Sequence, residues 1–233
     1  KGGYKTILWR AGYKSDTVYM FNLTDKNPDL RKIFQEDKFR QAMSLAIDRE
    51  AINNTIYFGK AEPVQYTVLN VSQYYDEKYE TYTEYDPEKA RTFLDDIGLV
   101  DVDDDGFREL PNGDEFTFTL EYITAETPKA PNIELVTQNW QEVGINVETK
   151  QISGELQAQR APANMLSATV WHGDMATDML FPLYPYYYLP YVPAWSKSIW
   201  PQWARYFQTD GESGEEPPAE IKELRNTWEQ IMK

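Results

Sequence analysis

The run from Asp37 to Pro63, DKFRQAMSLAIDREAINNTIYFGKAEP, constrains the fold most. Wound at 3.6 residues per turn, the spacing predicts one helix over Lys38–Ile56. Phe39, Ala42, Met43, Leu45, Ala46, Ile52 and Ile56 fall on one broad face, and Arg40, Gln41, Ser44, Asp48 and Thr55 on the other. Asp37 is the expected N-cap, Gly59 can close the helix with a left-handed residue, and Pro63 stops it resuming. Such a face has to be packed against something, so the run implies a globular core. Its chemistry is packing rather than ligand contact.

The order of residues adds what periodicity cannot. FRQAMSLAIDREAIN, followed by Tyr57, Gly59 and Glu62-Pro63, resembles the signature of the extracellular solute-binding proteins called family five, the peptide-binding components of bacterial ABC importers. YDPEKARTFLDDIGL at 85–99 and GEEPPAEIKEL at 214–224 resemble the same family. The resemblance implies a periplasmic-binding-protein-like (class II) lobe, α/β, with a mixed or parallel sheet flanked by helices. Full members are about twice this length. It therefore implies a partial chain: residues 1–36 as a remnant of a first lobe or hinge strand, and 37–233 as the second lobe.

Composition sets limits. A chain of 233 residues can bury a real core without staples. With 41% hydrophobic and 26% charged residues it is a soluble globular chain by composition. A net charge of −15 argues against nucleic acid and against an anionic membrane surface, both of which need clustered Lys and Arg. The absence of cysteine excludes disulfides, zinc–thiolate sites and cysteine nucleophiles, and fits an extracytoplasmic location. No apolar run reaches the length of a membrane-spanning helix. The start at Lys1, with neither initiator Met nor apolar signal segment, reads as a processed or excised chain.

Along the chain, Thr6–Trp9 and Thr17–Leu23 read as extended pieces, followed by a polar loop through Asn27-Pro28. Asp86 caps a helix to about Ile97, with Pro87 in its first turn and Gly98 at its end. Phe116, Phe118, Leu120 and Tyr122 alternate with Thr117, Thr119 and Glu121, which predicts a strand with one polar face. A helix over Pro131–Val143 and a strand over Ile145–Ile152 complete a parallel, right-handed βαβ unit. Ser153 opens another helix, and Ser167–Trp171 is a third strand. Residues 181–207 are crowded with Tyr, Trp and Pro, so regular structure is not expected before about Trp200. A final helix spans 219–232, with Ile221, Leu224, Trp228 and Ile231 as its apolar stripe.

Catalytic motifs are missing. The single histidine, His172, cannot build a multi-histidine metal site, and no G-x-S-x-G, P-loop or G-x-G-x-x-G occurs. No enzyme activity and no cofactor are expected. Asp101, Asp103 and Asp105 with Gly106 match the first half of a calcium loop, but position twelve, where a bidentate Glu belongs, is Asn112. That reads as a solvated acidic turn, with calcium a weak candidate. The sharper candidate is TVWHGD at 169–174, where a predicted strand ends and open α/β sheets bind ligands. Trp171, His172 and Asp174, together with Asn22 at the end of the second extended piece, form the candidate ligand-binding set. In the peptide-binding members the chain resembles, a Trp-x-x-Asp here faces the cleft, and its Asp pairs with the peptide's N-terminal ammonium. By that match Asp174 takes the ammonium and Trp171 forms an apolar wall. The aromatic segment is either a packed layer or a wall for peptide side chains or sugar rings. The expected function is capture of a small solute, a peptide or an oligosaccharide, for an ABC permease, with a non-catalytic protein-interaction module as the rival reading.

Overall fold

A computed structural model describes residues 2–5, 7, 12–124, 129–191 and 199–233. Its centre is a four-stranded sheet in the order β1-β4-β2-β3, formed by β1 (Ser15–Phe21), β2 (Thr117–Tyr122), β3 (Asn146–Gln151) and β4 (Ala168–Gly173). β2 runs parallel to both β3 and β4, while β1 is antiparallel to β4, with Val18 opposite Trp171 and Phe21 opposite Ala168. The expected mixed sheet and parallel βαβ unit are both present. The expected piece Thr6–Trp9 lies, apart from Ile7, outside the described residues.

The pleat divides the strands into two faces. Tyr19 and Phe21 of β1, Ala168 and Val170 of β4, Phe118 and Leu120 of β2, and Val147 of β3 point into the main core. That core is closed by α1 (Pro28–Gln35), α2 (Asp37–Leu45), α4 (Pro87–Asp96) and α5 (Lys129–Glu142). Phe21, Phe34, Phe39 and Phe118 meet edge-on or tilted at 5.1–5.7 Å between ring centres. Trp140 of α5 is fully buried, and its indole N–H donates to the Met43 carbonyl at 2.9 Å, tying α5 to α2. The opposite face of the sheet carries Met20, Thr169, Trp171 and Glu121, and is covered by α6 (Gly154–Arg160) and the segment around Tyr187. Helices thus flank the sheet on both sides, as an α/β lobe requires.

Local sequence explains most element boundaries. Asp86 accepts from the Lys89 amide and Pro87 occupies the first turn of α4. Gly98 ends that helix at φ +80°, where a side chain would also press on Pro111. Ser153 caps α6 through the Leu156 amide.

Four features differ from expectation. Residues 28–35 form α1 instead of a loop: Asn27 accepts from the Asp29 and Leu30 amides, Pro28 sits at its first turn, and Leu30, Ile33 and Phe34 are buried. β1 and α1 therefore share the sheet and core of the rest of the chain. The single helix over Lys38–Ile56 is two, α2 and α3 (Arg49–Ile56), because Asp48 caps a new start through the Ala51 amide. Its own amide donates to Asn139, and Arg49 reaches back to the Ser44 carbonyl. The apolar face survives the break, since Phe39, Ala42, Met43, Leu45, Ala46 and Ile52 are all buried. Asp37 caps nothing; it begins α2 and pairs with Arg40.

The third difference is Glu121, which lies on the face of β2 expected to be polar and solvated. It is buried, because Arg160 of α6 covers it at 2.5 Å. The fourth is the stripe of α9 (Ala219–Ile231), which buries no residue. Leu224 and Ile231 are exposed, and Trp228 is held by donating to the Pro182 carbonyl at 2.8 Å. Between β4 and α9 lie the short α7 (Leu180–Leu183) and α8 (Pro201–Gln208), and Trp195 of the aromatic segment falls outside the described residues. No helix among the described residues is long and apolar enough to cross a membrane.

Candidate functional site

The carboxyl ends of the three parallel strands lie at one edge of the sheet, beside the start of antiparallel β1. β4 leads out of the sheet there into Asp174. The Lys14 amide donates to the Gly173 carbonyl at 2.9 Å, so the chain before β1 is stitched to this edge. Asp174 donates its amide to the His172 carbonyl, and Met175 follows at φ +59°. This turn reverses the chain and leaves the side chains of His172 and Asp174 each about a quarter exposed. Their nearest ring nitrogen and carboxylate oxygen are 4.0 Å apart.

Two tyrosines from distant loops brace the turn. The Tyr66 hydroxyl donates to the Asp174 carbonyl, and that of Tyr187 to the His172 carbonyl, both at 2.6 Å. Their rings lie 4.5 Å apart, and Tyr188 stacks on Tyr66 at 5.6 Å. Burial is the main force raising the pKa of both phenols, with Tyr188 adding to Tyr66 and Asp174 to Tyr187. Both hydroxyls therefore stay protonated and keep donating across the physiological range. Gly173 makes the arrangement possible: a Cβ there would sit 2.3 Å from the Tyr66 ring. The glycine is required by close approach.

Trp171 is 8% exposed and packs against Met20 and Tyr187. The Lys129 ammonium lies 5.5 Å from its ring centre. His172 sits 4.6 Å from Trp171 and 5.5 Å from Tyr13, ring to ring. The structure thus gathers Trp171, His172 and Asp174 at one strand end. Asn22 does not join them. It is 1% exposed, donates to Asn164 and the Leu166 carbonyl, and accepts from the amide and hydroxyl of Thr24. Its amide is saturated by the fold, so the expectation of a ligand-facing Asn22 gives way to a structural role. Asp101, Asp103 and Asp105 lie in the loop before β2, at the opposite end of the sheet.

A cavity of about 840 Å³ runs along the edge of β1 that does not face β4. It is lined by β1 itself, by Ser44, Arg49 and Asn53, by residues 60–66, and by Tyr187. Trp171, His172 and Asp174 do not line it; they adjoin it through Tyr66 and Tyr187. Deep in this wall Tyr57 donates to Asp16 at 2.5 Å, and burial followed by Asp16 pushes its hydroxyl up to about 12. Burial also lowers Arg49 to about 10, with Glu84 opposing. Tyr66 and Tyr187 were not singled out from sequence as site residues. A polar Gln65 beside Tyr66 carries no signal that its ring reaches a strand end 108 residues away, and a run of three tyrosines does not say which ring folds back over the 15 residues to His172.

Comparison with known proteins adds an independent line. The family model described as "Bacterial extracellular solute-binding proteins, family 5 Middle" matches residues 3–192. Heme-binding protein A of Haemophilus influenzae is 27% identical over 163 residues, which is 68% of this chain and 27% of that protein. Oligopeptide-binding protein AppA of Bacillus subtilis is 27% identical over 135 residues, 57% of this chain and 25% of AppA. Its solved structure, in complex with a nonapeptide, superposes with a TM-score of 0.60 over 70% of this chain and 32% of that one. The structure of an oligopeptide-binding protein OppA gives a TM-score of 0.86 at 31% identity, covering 99% of this chain and 38% of OppA. This chain spans about a quarter of the curated relatives' length, and its α/β fold matches the part of the OppA structure that it covers.

Proposed function

Because the chain belongs to the bacterial extracellular solute-binding proteins, family 5, we propose that it is mainly the second lobe of a two-lobed receptor that captures oligopeptides outside the cell. The lobes close on the solute about a hinge and present it to an ABC permease in the membrane. No step in this cycle breaks a covalent bond, so the protein acts without catalysis. We place the crossing from the first lobe ahead of β1, since β1 and α1 are built into the sheet and core described above.

One observation carries the peptide reading: the Trp171–Asp174 turn at the carboxyl end of β4. There a partly exposed carboxylate stands on a turn that two phenols brace by donating to the Asp174 and His172 backbone carbonyls. A braced turn keeps that carboxylate at the strand end before an ammonium arrives, which is the advantage of a preformed site. Asp174 pairs with the peptide's N-terminal ammonium, His172 lies beside it, and Trp171 backs the turn as an apolar wall. A charge-assisted contact of this kind contributes about 1.5–3 kcal/mol, or roughly 10- to 150-fold in affinity.

The reading is tested by a thermal-shift panel on the full-length receptor, using dipeptides, oligopeptides of four to nine residues and cello-oligosaccharides. Stabilisation by the oligopeptides is expected. A response confined to the sugars would replace the peptide reading with an oligosaccharide one. No response to any of them, with a partner protein retained instead, would favour an interaction module.

A further inference from the structure

β1 stands at the edge of the sheet but is packed like an interior strand. Tyr19 and Phe21 point into the main core on one face, and Met20 joins Trp171 and Tyr187 on the other. Natural sheet edges are kept from pairing by charges, prolines and bulges. Here the bulge between Ser15 and Val18 blunts only the first half. Residues 18–21, VYMF, carry none of these devices.

The register settles which backbone groups are left over. The Asn22 amide donates to the Ser167 carbonyl, so by the alternation of an antiparallel ladder Met20 and Val18 also bond to β4. Tyr19 and Phe21 turn their amides and carbonyls to the outer edge. Leu23, next in that series, is satisfied there, its amide donating to the Ile199 carbonyl at 2.6 Å. Among the described residues no backbone partner meets Tyr19 or Phe21 on that side. Their polar groups open instead on the cavity of about 840 Å³, whose other walls include the apolar Ile199, Trp200 and, from α9, Ile221. The rest of the α9 stripe is uncovered too, with Leu224 and Ile231 exposed. A row of backbone donors and acceptors between apolar walls is what an added strand satisfies.

We propose that the outer edge of β1 docks one further strand of the receptor's own polypeptide, from the part outside these 233 residues. The matched portion is 38% of OppA, and the matching family model is itself described as a middle portion, so the receptor has chain to supply it. At the usual spacing of about 4.8 Å the strand would fill the cavity beside β1 and pair with Tyr19 and Phe21. Reached from β4 through α7, α8 and α9, it would run parallel to β4 and antiparallel to β1, because helical crossovers join parallel strands. β1 carries the chain in from the crossing between the lobes. A strand on its outer edge would therefore hold β1 still and confine lobe motion to the residues ahead of it. The inference rests on membership of the family and not on the ligand read at Asp174.

The test is hydrogen exchange at single amides, read by NMR on the full-length receptor. Bound solute is first removed by dialysis in urea and refolding, and two protein concentrations tenfold apart are compared. Tyr19 and Phe21 should exchange within about tenfold of Val18 and Met20, at both concentrations and without added peptide. Amide-to-amide NOEs from Tyr19 or Phe21 should reach a residue outside the 233. Exchange of Tyr19 and Phe21 more than about tenfold faster than that of Val18 and Met20 overturns the proposal, since the edge is then open in the whole receptor. Protection that grows with concentration assigns the edge to a second copy, and protection that needs an added oligopeptide assigns it to the ligand; either result overturns the proposal. Slow exchange with NOEs confined to the 233 residues overturns it as well, because burial within the lobe then accounts for the protection.

Discussion

Gly173→Ala is the smallest change that should disturb the candidate site. The added methyl would lie 2.3 and 2.5 Å from two ring carbons of Tyr66 and 3.1 Å from Val18. Tyr66 cannot swing aside freely, because its hydroxyl is bonded to the Asp174 carbonyl and its ring is packed between Tyr187 and Tyr188. Overpacking at such a site costs about 1–3 kcal/mol, and loss of the Tyr66 hydrogen bond adds about 0.5–1.5. The sum is about 2–4 kcal/mol, equivalent to a fall in Tm of roughly 5–15 °C for a chain of this size. Urea unfolding should show a lower midpoint with an unchanged slope. The mechanism is specific, so a double-mutant cycle tests it. In a Tyr66→Ala background the two closest contacts are gone and only the side chain of Val18, at 3.1 Å, has to give, so Gly173→Ala should then cost under about 1 kcal/mol. A cost that is small in the parent chain, or equal in both backgrounds, refutes the close-approach argument.

Other outcomes follow from the same structure. Asn22→Ala removes four hydrogen bonds and strands buried groups of Thr24, Asn164 and Leu166; a loss of about 3–5 kcal/mol in denaturant unfolding is expected. A loss under 1 kcal/mol would instead free Asn22 for a ligand. Tyr57 titrates at about 12 in the folded chain against about 10 unfolded, so its contribution is complete below pH 10 and fades as pH rises toward 12. The stability gap between the parent and Tyr57→Phe should therefore be constant from pH 8 to 9.5 and narrow by pH 11 in urea titrations. A gap that widens contradicts the assignment.

Much of the fold was legible because it rests on local patterning. The apolar face of Phe39–Ile52, the Asp86-Pro87 start, the Ser153 cap and the alternation of Phe116–Tyr122 all act within a few residues, and each is present as read. Reading failed where a distant partner decides. Asp48 restarts the helix with help from Asn139, and Glu121 is buried because Arg160 covers it. Asn27-Pro28 serves a polar loop as well as a helix start, and only the burial of Leu30, Ile33 and Phe34 decides for the helix. For the site, the residue order pointed to the Trp171–Asp174 strand end. The bracing by Tyr66 and Tyr187 comes from loops whose positions only the assembled sheet defines. Asn22 shows the limit: a polar residue expected to face a ligand is fully used by the fold.

The central claim is that Asp174 receives a peptide's N-terminal ammonium. The most direct measurement is calorimetric titration of the full-length receptor, parent and Asp174→Asn, with one oligopeptide and with the same peptide acetylated at its N-terminus. Acetylation should weaken binding roughly 10- to 150-fold in the parent and by less than about threefold in Asp174→Asn. Equal affinity for free and acetylated peptide in the parent, or the same acetylation penalty in both proteins, would contradict it.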